Sequence, residues 1–548
     1  MTAWRVPLLS AVTIIERLEM DRETAMNTAA EETSAISRKT VLMRDAAVSL
    51  SLANLCFLKV WSAYLSDYGE FRVLMRKLPT PAQYLSTATD ILILAALCLV
   101  CISWSRRRSS LALDRAFLIA SVLLLGIILN GLRTALAASN IWIANRTWVG
   151  GCAALALFYV AVGWKWPARL FFIIRVALVC CLPFCAVTFG QTLWRVAAYD
   201  GHALEDSPPA PMLADARTSP RIVWIIFDAW DYRLAFVNRP RDLELPAADR
   251  IRAEFLSATD AHSPGPNTIL SMPELMTGRI MRDPSKKQES NEQHARYLAS
   301  IPLRKVPSIF DTLHERAYNI SVIGWHIPYG RWFPALFADC IWWAVPTELT
   351  STGRTFSECL WRKPISLLET GNYGPFGQSR DARRKTEIYF EMMAHLRQVL
   401  DNQALGFLFL HIPFPHPLHP YDRLTGRFDF HGPPGEGYVN SLALTDKILS
   451  DIRDQMERNG SWDKSVVVLS ADHSSPQAVD VDGKSDPRVP FLLKLPGKPH
   501  PAVFTSRLNT IVTANLLLNV ADGKIATTEQ ACFWLQEHGQ DLEEPLQP

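Results

Sequence analysis

Residues 221–231, RIVWIIFDAWD, decide the fold, because six consecutive apolar residues end there at the carboxylate of Asp228. A run that is apolar on both faces is typical of a strand buried in a parallel sheet, since a half-exposed strand alternates apolar and polar residues. Two later runs have the same form, at residues 407–411 (FLFLH) and 466–470 (VVVLS), and each ends in a polar cluster. The three runs predict buried strands of a parallel sheet.

Helical patterns lie between these strands, at residues 306–317, 381–402 and 438–459. Strands that alternate with helices predict an α/β fold. Ligands of such sheets bind beyond the carboxyl ends of the strands. The polar clusters that follow the three runs are therefore the candidate functional site.

Three clusters could carry chemistry: Asp228 after the first run, Thr268 within SPGPNTILSMPELMTGR, and the pair Asp472–His473 after the third run. Two carboxylates and an imidazole can together ligate a divalent ion. A hydroxyl beside that ion becomes acidic enough to act as a nucleophile, which is the role predicted for Thr268. Taken singly, each has a simpler interpretation, because aspartate and threonine often cap helices and an Asp-His pair often lies on the surface.

The loop from His411 to residue 421, HIPFPHPLHPY, holds three histidines in nine residues. They could be merely solvated in a proline-rich loop. At a strand end they favour a substrate role, because an imidazole can bind phosphate or protonate a leaving group. His411, His416 and His419 are therefore predicted to bind substrate.

Upstream of the α/β pattern the chain is predicted to be a membrane protein. Five apolar segments have close to the ~20 residues that cross the hydrocarbon core, at residues 46–65, 85–104, 116–132, 148–164 and 170–190. Soluble core helices are the alternative, which the density of these runs and the Trp and Tyr near their ends disfavour. A further apolar stretch, residues 7–15, is too short to span and stays unassigned.

Basic residues predict the orientation of these spans. They cluster before the first span and in the second and fourth connections, which the positive-inside rule places in the cytoplasm. Five spans from a cytoplasmic start put everything after residue 190 outside. The predicted domains are a cytoplasmic segment (1–44), a membrane domain (45–190), a linker (191–220) and an extracytoplasmic catalytic domain (221–548), in a bacterial-type inner membrane.

The net charge and the cysteine content narrow the possible functions only slightly. The net charge is only +2, so no nucleic-acid partner is expected. Seven of the ten cysteines lie in apolar segments, and no CxxC zinc pattern occurs in the remainder. Cys340 and Cys359 could form a disulfide in an oxidising compartment or stay as free thiols.

Five elements in the same order make residues 221–500 resemble the alkaline phosphatase/sulfatase superfamily. IVWIIFDAWDYR resembles its first strand and metal-binding aspartate, TILSMPELMTG its nucleophile helix, HIPFPHPLHPY its histidine-bearing loop, and VVVLSADHS its late Asp-His motif, which RVPFLLKLPG follows. With five predicted spans upstream, the chain resembles the membrane phosphoethanolamine transferases that modify lipid A, and more loosely the lipoteichoic acid synthases. The Cys or Ser that sulfatases oxidise to formylglycine has no counterpart in Thr268-Ile-Leu-Ser-Met.

The resemblance implies that Thr268 takes a phospho-group from a membrane phospholipid and passes it to an envelope lipid or glycan. Asp228, Thr268, Asp472 and His473 would hold a divalent metal ion, with zinc first and manganese, magnesium or calcium as alternatives. The transferases carry a further histidine after the Asp-His motif, where this chain has Asp480, Asp482 and Lys484. A hydrolase of phosphate or sulfate esters, or an inactive scaffold of the same fold, are the competing hypotheses.

Overall fold

The computed structural model of the chain describes residues 38–65, 77–107, 111–138, 145–281, 306–346, 353, 355–369, 373–374 and 377–540. The chain divides into two compact units, one helical and one of α/β type. The short apolar stretch at residues 7–15 and most of the predicted cytoplasmic segment lie outside the described residues.

The helical unit contains the predicted spans. Its first seven helices are α1 (Arg38–Cys56), α2 (Leu58–Tyr64), α3 (Pro81–Ser105), α4 (Leu111–Ala138), α5 (Asn145–Lys165), α6 (Pro167–Cys180) and α7 (Leu182–Ala197). Four stretches are long and apolar enough to cross a membrane, the last being α6 and α7 together, and α1 with α2 makes a fifth span if this pair, bent by 62°, counts as one. Large apolar side chains such as Leu97, Phe158 and Phe172 remain exposed on these helices, as lipid-facing residues do. The prediction of about five apolar helices before an α/β domain is confirmed.

Helix α7 ends later than the predicted membrane domain. It runs to Ala197, so the first residues of the predicted linker are helical. Leu193 and Trp194 lie exposed on this last turn, and an apolar surface of this kind lets a helix continue into the lipid interface.

The α/β unit is built on an eight-stranded sheet in the order β11-β2-β10-β9-β1-β8-β4-β5. The strands of this unit are β1 (Arg221–Asp228), β2 (Leu256–Ala258), β3 (Ala261–His262), β4 (Ile320–Trp325), β5 (Asp339–Trp343), β6 (Tyr373–Gly374), β7 (Gly377–Gln378), β8 (Phe407–Pro415), β9 (Ser465–Ala471), β10 (Phe491–Lys494), β11 (Ala502–Phe504) and β12 (Leu508–Asn509). The two-residue strands β3, β6, β7 and β12 lie outside the eight-stranded sheet. The five strands from β9 to β5 are parallel, and β10 pairs antiparallel to β9. The sheet is therefore mixed.

The helices of this region follow in chain order: α8 (Tyr232–Phe236), α9 (Pro246–Glu254), α10 (Thr268–Thr277), α11 (Ile309–Glu315), α12 (Tyr329–Trp332), α13 (Phe356–Ser366), α14 (Arg380–Asp401), α15 (Pro434–Arg458), α16 (Val479–Asp482), α17 (Thr513–Ala521) and α18 (Thr528–His538). All belong to the α/β unit except α13, which packs in the helical unit. The three predicted strands are β1, β8 and β9, which pair side by side and are buried along their whole length. The three predicted helices are α11, α14 and α15.

All ten cysteines lie within the described residues, and none of them forms a disulfide. The disulfide alternative for Cys340 and Cys359 is therefore wrong. Cys340 lies on β5 and Cys359 on α13, so the two residues belong to different units.

Candidate active site

The carboxyl ends of the central strands bring the predicted site residues to one edge of the sheet. Asp228 is the last residue of β1, and Asp472 follows the last residue of β9. The backbone N–H of Ala229 donates to Asp472 Oδ1 at 3.0 Å, and the backbone N–H of His416 donates to the Asp228 carbonyl at 3.1 Å. Backbone hydrogen bonds between neighbouring strand ends therefore hold this edge together.

Thr268 is the first residue of helix α10. The cap of this helix is Asn267, whose side chain accepts a hydrogen bond from the backbone N–H of Leu270 at 3.1 Å. The simpler interpretation of Thr268 as the cap is therefore wrong. The hydroxyl of Ser271 accepts from the Gly265 N–H at 3.0 Å and donates to the Gly265 carbonyl at 2.8 Å, which folds the preceding loop over the first turn.

The side chains of Thr268, Asp228, Asp472 and His473 form one cluster. Thr268 Oγ1 donates to Asp472 Oδ2 at 2.7 Å, and lies 3.5 Å from both Asp228 Oδ1 and His473 Nε2. His473 Nε2 lies 3.3 Å from Asp228 Oδ1 and 3.6 Å from Asp472 Oδ2. Ligand atoms of the two aspartates and the histidine all lie within 4.8 Å of one another. The chain thus brings together the four residues that were predicted to bind metal.

The cluster fits a divalent cation. Both carboxylates are almost fully buried, at 1% exposed for Asp228 and 0% for Asp472, and buried charges need a compensating charge. Burial alone would lower the pKa of His473, but Asp472 and Asp228 outweigh it and raise this pKa to about 9. This raised pKa means that the two carboxylates make the surroundings of the imidazole strongly negative. Carboxylate oxygens, a hydroxyl and an imidazole are ligands that zinc and manganese share.

The three loop histidines have different surroundings. His416 is half-buried beside Asp228, and its Nδ1 has no hydrogen-bond partner among the described residues. His411 is fully buried, and its Nδ1 pairs with the Tyr329 hydroxyl at 2.8 Å. Its Nε2 lies 3.8 Å from Asp472 Oδ2 and has no hydrogen bond to any described residue. Both therefore present a free nitrogen at or near the cluster.

His419 is placed differently, because both of its ring nitrogens are engaged inside the protein. Nδ1 pairs with Ser441 Oγ and Nε2 with Gln477 Oε1, both at 2.8 Å. The ring is 3% exposed. The structure thus gives His419 partners that tie its loop to helix α15 and to the segment after β9, and a role in substrate binding stays a prediction.

Replacing His419 with alanine is expected to lower stability rather than remove the site. The change leaves the buried Ser441 hydroxyl and the half-buried Gln477 side chain without these partners, which costs about 1–3 kcal/mol. His500→Ala, a change at an exposed histidine, is the control and is expected to stay within about 0.5 kcal/mol of the wild type. The measurement is the thermal unfolding midpoint of both variants. Equal midpoints for His419→Ala and His500→Ala would contradict a structural role of His419.

The stability that His419 contributes is also expected to depend on pH. Burial lowers the pKa of His419 from its usual 6.5 to about 3. The unfolded chain therefore binds more protons than the folded chain between these values, so this contribution is full above about pH 6.5 and is lost as the pH falls towards 3. His419→Ala should flatten this part of the stability profile.

Sequence reasoning missed two side chains that support the cluster. The indole N–H of Trp325, at the end of β4, donates to Asp228 Oδ2 at 2.6 Å. Lys385 on α14 is fully buried and donates to the carbonyls of His416 and Pro417, both at 2.6 Å. Burial lowers the pKa of Lys385 to about 7. Trp325 orients one carboxylate, and Lys385 fixes the backbone of the histidine loop.

Another missed residue, His326, follows β4 just as the predicted residues follow their strands. It has a positive φ of 63°, which is uncommon outside glycine. Burial lowers its pKa to about 4. The same strand-end rule that found Asp228 applies to the run ISVIGWH, and could have found this histidine.

An open cavity of about 930 Å³ lies beside the cluster. Its walls include the loop just before Thr268, residues 263–266, and the segment just after His473, residues 474–476. Its lining also includes His262, Arg507 and Asn509. The chain segments next to Thr268 and His473 thus also line a polar cavity.

Comparison with protein-family models matches residues 220–519 to the family described as Sulfatase, which is more than half of the 548 residues. The chain belongs to the sulfatase family. The matched range begins at β1 and ends within α17, so the sulfatase region contains every residue of the cluster. Members of the sulfatase/alkaline phosphatase superfamily are metal-dependent hydrolases or transferases, and the chain is an enzyme of this class.

Solved structures similar to this sulfatase-family chain are distant. The lipoteichoic acid synthase LtaP from Listeria monocytogenes is 14% identical, with 55% of this chain and 72% of that chain covered at a TM-score of 0.37. A protein in the alkaline phosphatase superfamily from Vibrio parahaemolyticus is 16% identical, with 61% and 71% covered at 0.35. The phosphonate monoester hydrolase of Agrobacterium radiobacter is 13% identical, with 55% and 74% covered at 0.38. No curated protein matches the chain.

Proposed function

We propose that the chain is a membrane-anchored, metal-dependent phospho-group transferase with Thr268 as its nucleophile. The observation that carries the proposal is the position of Thr268 Oγ1, 2.7 Å from Asp472 Oδ2 and 3.5 Å from Asp228 Oδ1 and His473 Nε2. Thr268 is also the first residue of a ten-residue helix. Free N–H groups and the helix dipole at such a terminus favour a bound phosphate.

Asp228, Asp472, His473 and Thr268 would hold the metal ion. Their mixed oxygen and nitrogen donors suit zinc first, with manganese, magnesium or calcium as alternatives. When bound, this ion supplies positive charge that lowers the pKa of a coordinated hydroxyl. Trp325 holds Asp228 in place through its 2.6 Å hydrogen bond, and such supporting contacts orient metal ligands.

The proposed reaction has two displacements at phosphorus. In the first, the Thr268 oxygen forms a bond to phosphorus as the bond to the donor alcohol breaks, and the threonine proton ends on the departing oxygen. In the second, an acceptor hydroxyl attacks phosphorus, the bond to Thr268 breaks, and the acceptor proton returns to threonine. His416, with its unpaired Nδ1 beside Asp228, is the group placed to relay these protons.

Donor and acceptor are proposed from the location of the enzyme. The apolar helices anchor the chain in a membrane, where phospholipid is the abundant phosphodiester. The cavity beside Thr268 carries Arg507, His262 and several serines, which suits a polar, hydroxyl-bearing acceptor such as an envelope glycan or lipid headgroup. We place this site outside the cytoplasm of a bacterial-type inner membrane, on the basic-residue pattern alone.

The test uses the full-length protein in vesicles containing phosphatidylethanolamine labelled in its headgroup phosphate, with an envelope lipid and glycan extract as acceptor. The proposal expects diacylglycerol to form and the label to enter the acceptor fraction. Label released only as free phosphoethanolamine would contradict transfer and favour hydrolysis with water as acceptor. Sulfate release from aryl sulfates without any action on phosphate diesters would contradict the proposal altogether.

A further inference from the structure

Helix α13 (Phe356–Ser366) comes from the middle of the sulfatase-family sequence but packs with the apolar helices. Residues 355–367 belong to the helical unit, whereas the chain on both sides of them belongs to the α/β unit. The sulfatase sequence therefore contains a helix that leaves its own unit.

One face of α13 docks on α3. Cys359, Lys363 and Ser366 are fully buried and follow one another at intervals of four and three residues, which places them on one side of the helix. The Lys363 ammonium donates to Ser86 Oγ at 2.6 Å and to Thr87 Oγ1 at 2.7 Å, and also to the carbonyl of Gln83. All three donors of the ammonium are thus used in attaching α13 to the first turns of α3.

Two further contacts fix the end of the helical unit at which α13 lies. Lys59 Nζ, on α2, donates to the Ser366 carbonyl at 2.8 Å, and Asn130 Nδ2, on α4, donates to the Leu367 carbonyl at 3.2 Å. These residues lie near the end of the first span and of the third, and Ser86 lies near the start of the second. In spans that alternate in direction, these three positions share one membrane surface. Helix α13 therefore lies at that surface.

The depth of α13 follows from the α3 geometry. Thr87 lies six residues after Pro81, the first residue of α3, which corresponds to about 9 Å along the helix axis. Helix α3 has 25 residues, more than the ~20 that cross the hydrocarbon core, so its first turn extends into the headgroup layer. The Lys363 ammonium therefore lies close to the boundary between headgroups and acyl chains, where interfacial helices lie about 5–10 Å deep.

The two faces of α13 that point away from α3 differ in polarity. At about 100° per residue, Phe356, Leu360, Pro364 and Trp361 lie on one arc, which also holds Ser357, and Glu358 and Arg362 lie on the remaining arc. Trp361 is 77% exposed and Phe356 is 42% exposed. Tryptophan concentrates at membrane interfaces because its ring is apolar and its N–H is polar. The helix therefore has a docking face, an apolar face and a charged face.

We propose that α13 is an interfacial membrane helix whose apolar face, with Trp361 as its most exposed side chain, lies among the phospholipids at the bilayer surface. The spans on which α13 docks also expose large apolar side chains, such as Leu85 on the first turns of α3 at 43%, which is the reason to choose lipid rather than a protein partner. The proposal rests on the membrane anchoring and not on the proposed transfer reaction. It gives the sulfatase region a second attachment to the membrane, besides α7.

The test is photocrosslinking in the full-length protein. A benzoylphenylalanine is placed at position 361, at 533 or at 158, and the protein is reconstituted in phosphatidylethanolamine and phosphatidylglycerol vesicles. Phe533 on α18 is a matched control at 65% exposure in the α/β unit, and Phe158 on α5 is a lipid-facing reference at 68%. We expect lipid adducts at 361 in a yield close to that at 158 and several-fold above that at 533.

A yield at 361 that matches position 533 would overturn the proposal, as would a crosslink at 361 to protein in place of lipid. The comparison changes no residue of the docking face, so it does not depend on a variant that fails to fold. A second measurement combines Lys363→Met with the probe at position 361 and, in a separate protein, with the probe at position 158. Loss of the ammonium contacts to α3 should lower the adduct yield at 361, while the yield at 158 stays unchanged.

Discussion

Replacing Thr268 with alanine is expected to lower kcat/KM for phospho-group transfer by at least ~10³-fold, the scale seen when a nucleophile is removed. The physical reason is that the substitution removes the hydroxyl that lies within 3.5 Å of Asp228, Asp472 and His473 together. The stability cost should be only about 1 kcal/mol, because one side-chain hydrogen bond is lost. The cap of α10 is untouched, since it is Asn267.

Thr277→Ala is the matched control for this change. Thr277 is also buried on α10, and its hydroxyl donates to the Pro273 carbonyl at 2.8 Å, so the same atoms are removed from the same helix away from the cluster. It should keep most of the activity. Thr268→Ser, which retains a hydroxyl, should keep part of it. Turnover by well-folded Thr268→Ala at the level of Thr277→Ala would refute the nucleophile assignment, and Ser271 would become the next candidate.

Replacing Asp472 with asparagine is expected to remove the metal ion and the activity together. Its carboxylate accepts from Thr268 and lies within 3.6 Å of His473 Nε2, so its charge is shared by the whole cluster. Loss of an outer partner of a metal ligand costs about 10–100-fold in metal affinity. Asp472→Asn removes the charge of a ligand itself and should lower the metal affinity by more than this range. Trp325→Phe, which removes the hydrogen bond to Asp228, should lower the metal affinity by an amount within it.

The measurement is the metal content of the purified full-length proteins by elemental mass spectrometry, with activity measured in parallel. Asp446→Asn is the control, because Asp446 is also buried but binds the backbone N–H groups of Ala247 and Ala248. It should keep its metal, although it should lose some stability. Wild-type metal content in Asp472→Asn would show that the ion is held elsewhere. Adding back single metals to chelated wild-type enzyme would identify the one that supports turnover.

The part of the fold that was predictable is the part that short sequence patterns dictate. The runs of β1, β8 and β9 are apolar on both faces because helices cover both sides of a parallel sheet, and this leaves a direct pattern in the sequence. The strand-end rule then placed Asp228 and Asp472 at one edge, and the superfamily resemblance added Thr268. For these residues, local pattern and chain order were sufficient.

Other parts of the site depend on tertiary contacts that leave no local pattern. Lys385 is one of several basic residues at the start of α14, and only the packing of this helix shows that its ammonium is buried under the His416 loop. Trp325 has the pattern of an ordinary strand tryptophan, and only the fold brings its N–H to Asp228. Helix α13 is too short and too mixed in composition to be predicted as a membrane element. Its position depends on the Lys363 contacts to α3, which are 276–280 residues distant in sequence.

The central claim is that Thr268 carries the phospho-group during the reaction. The most direct test is to quench the wild-type enzyme during turnover of headgroup-labelled phosphatidylethanolamine and to map the modified peptide by mass spectrometry. We predict a phosphoethanolamine ester on the Thr268 side chain, present in Thr277→Ala and absent from Thr268→Ala. An active enzyme whose label appears on another residue, or on none while Thr268→Ala still turns over, would contradict this claim.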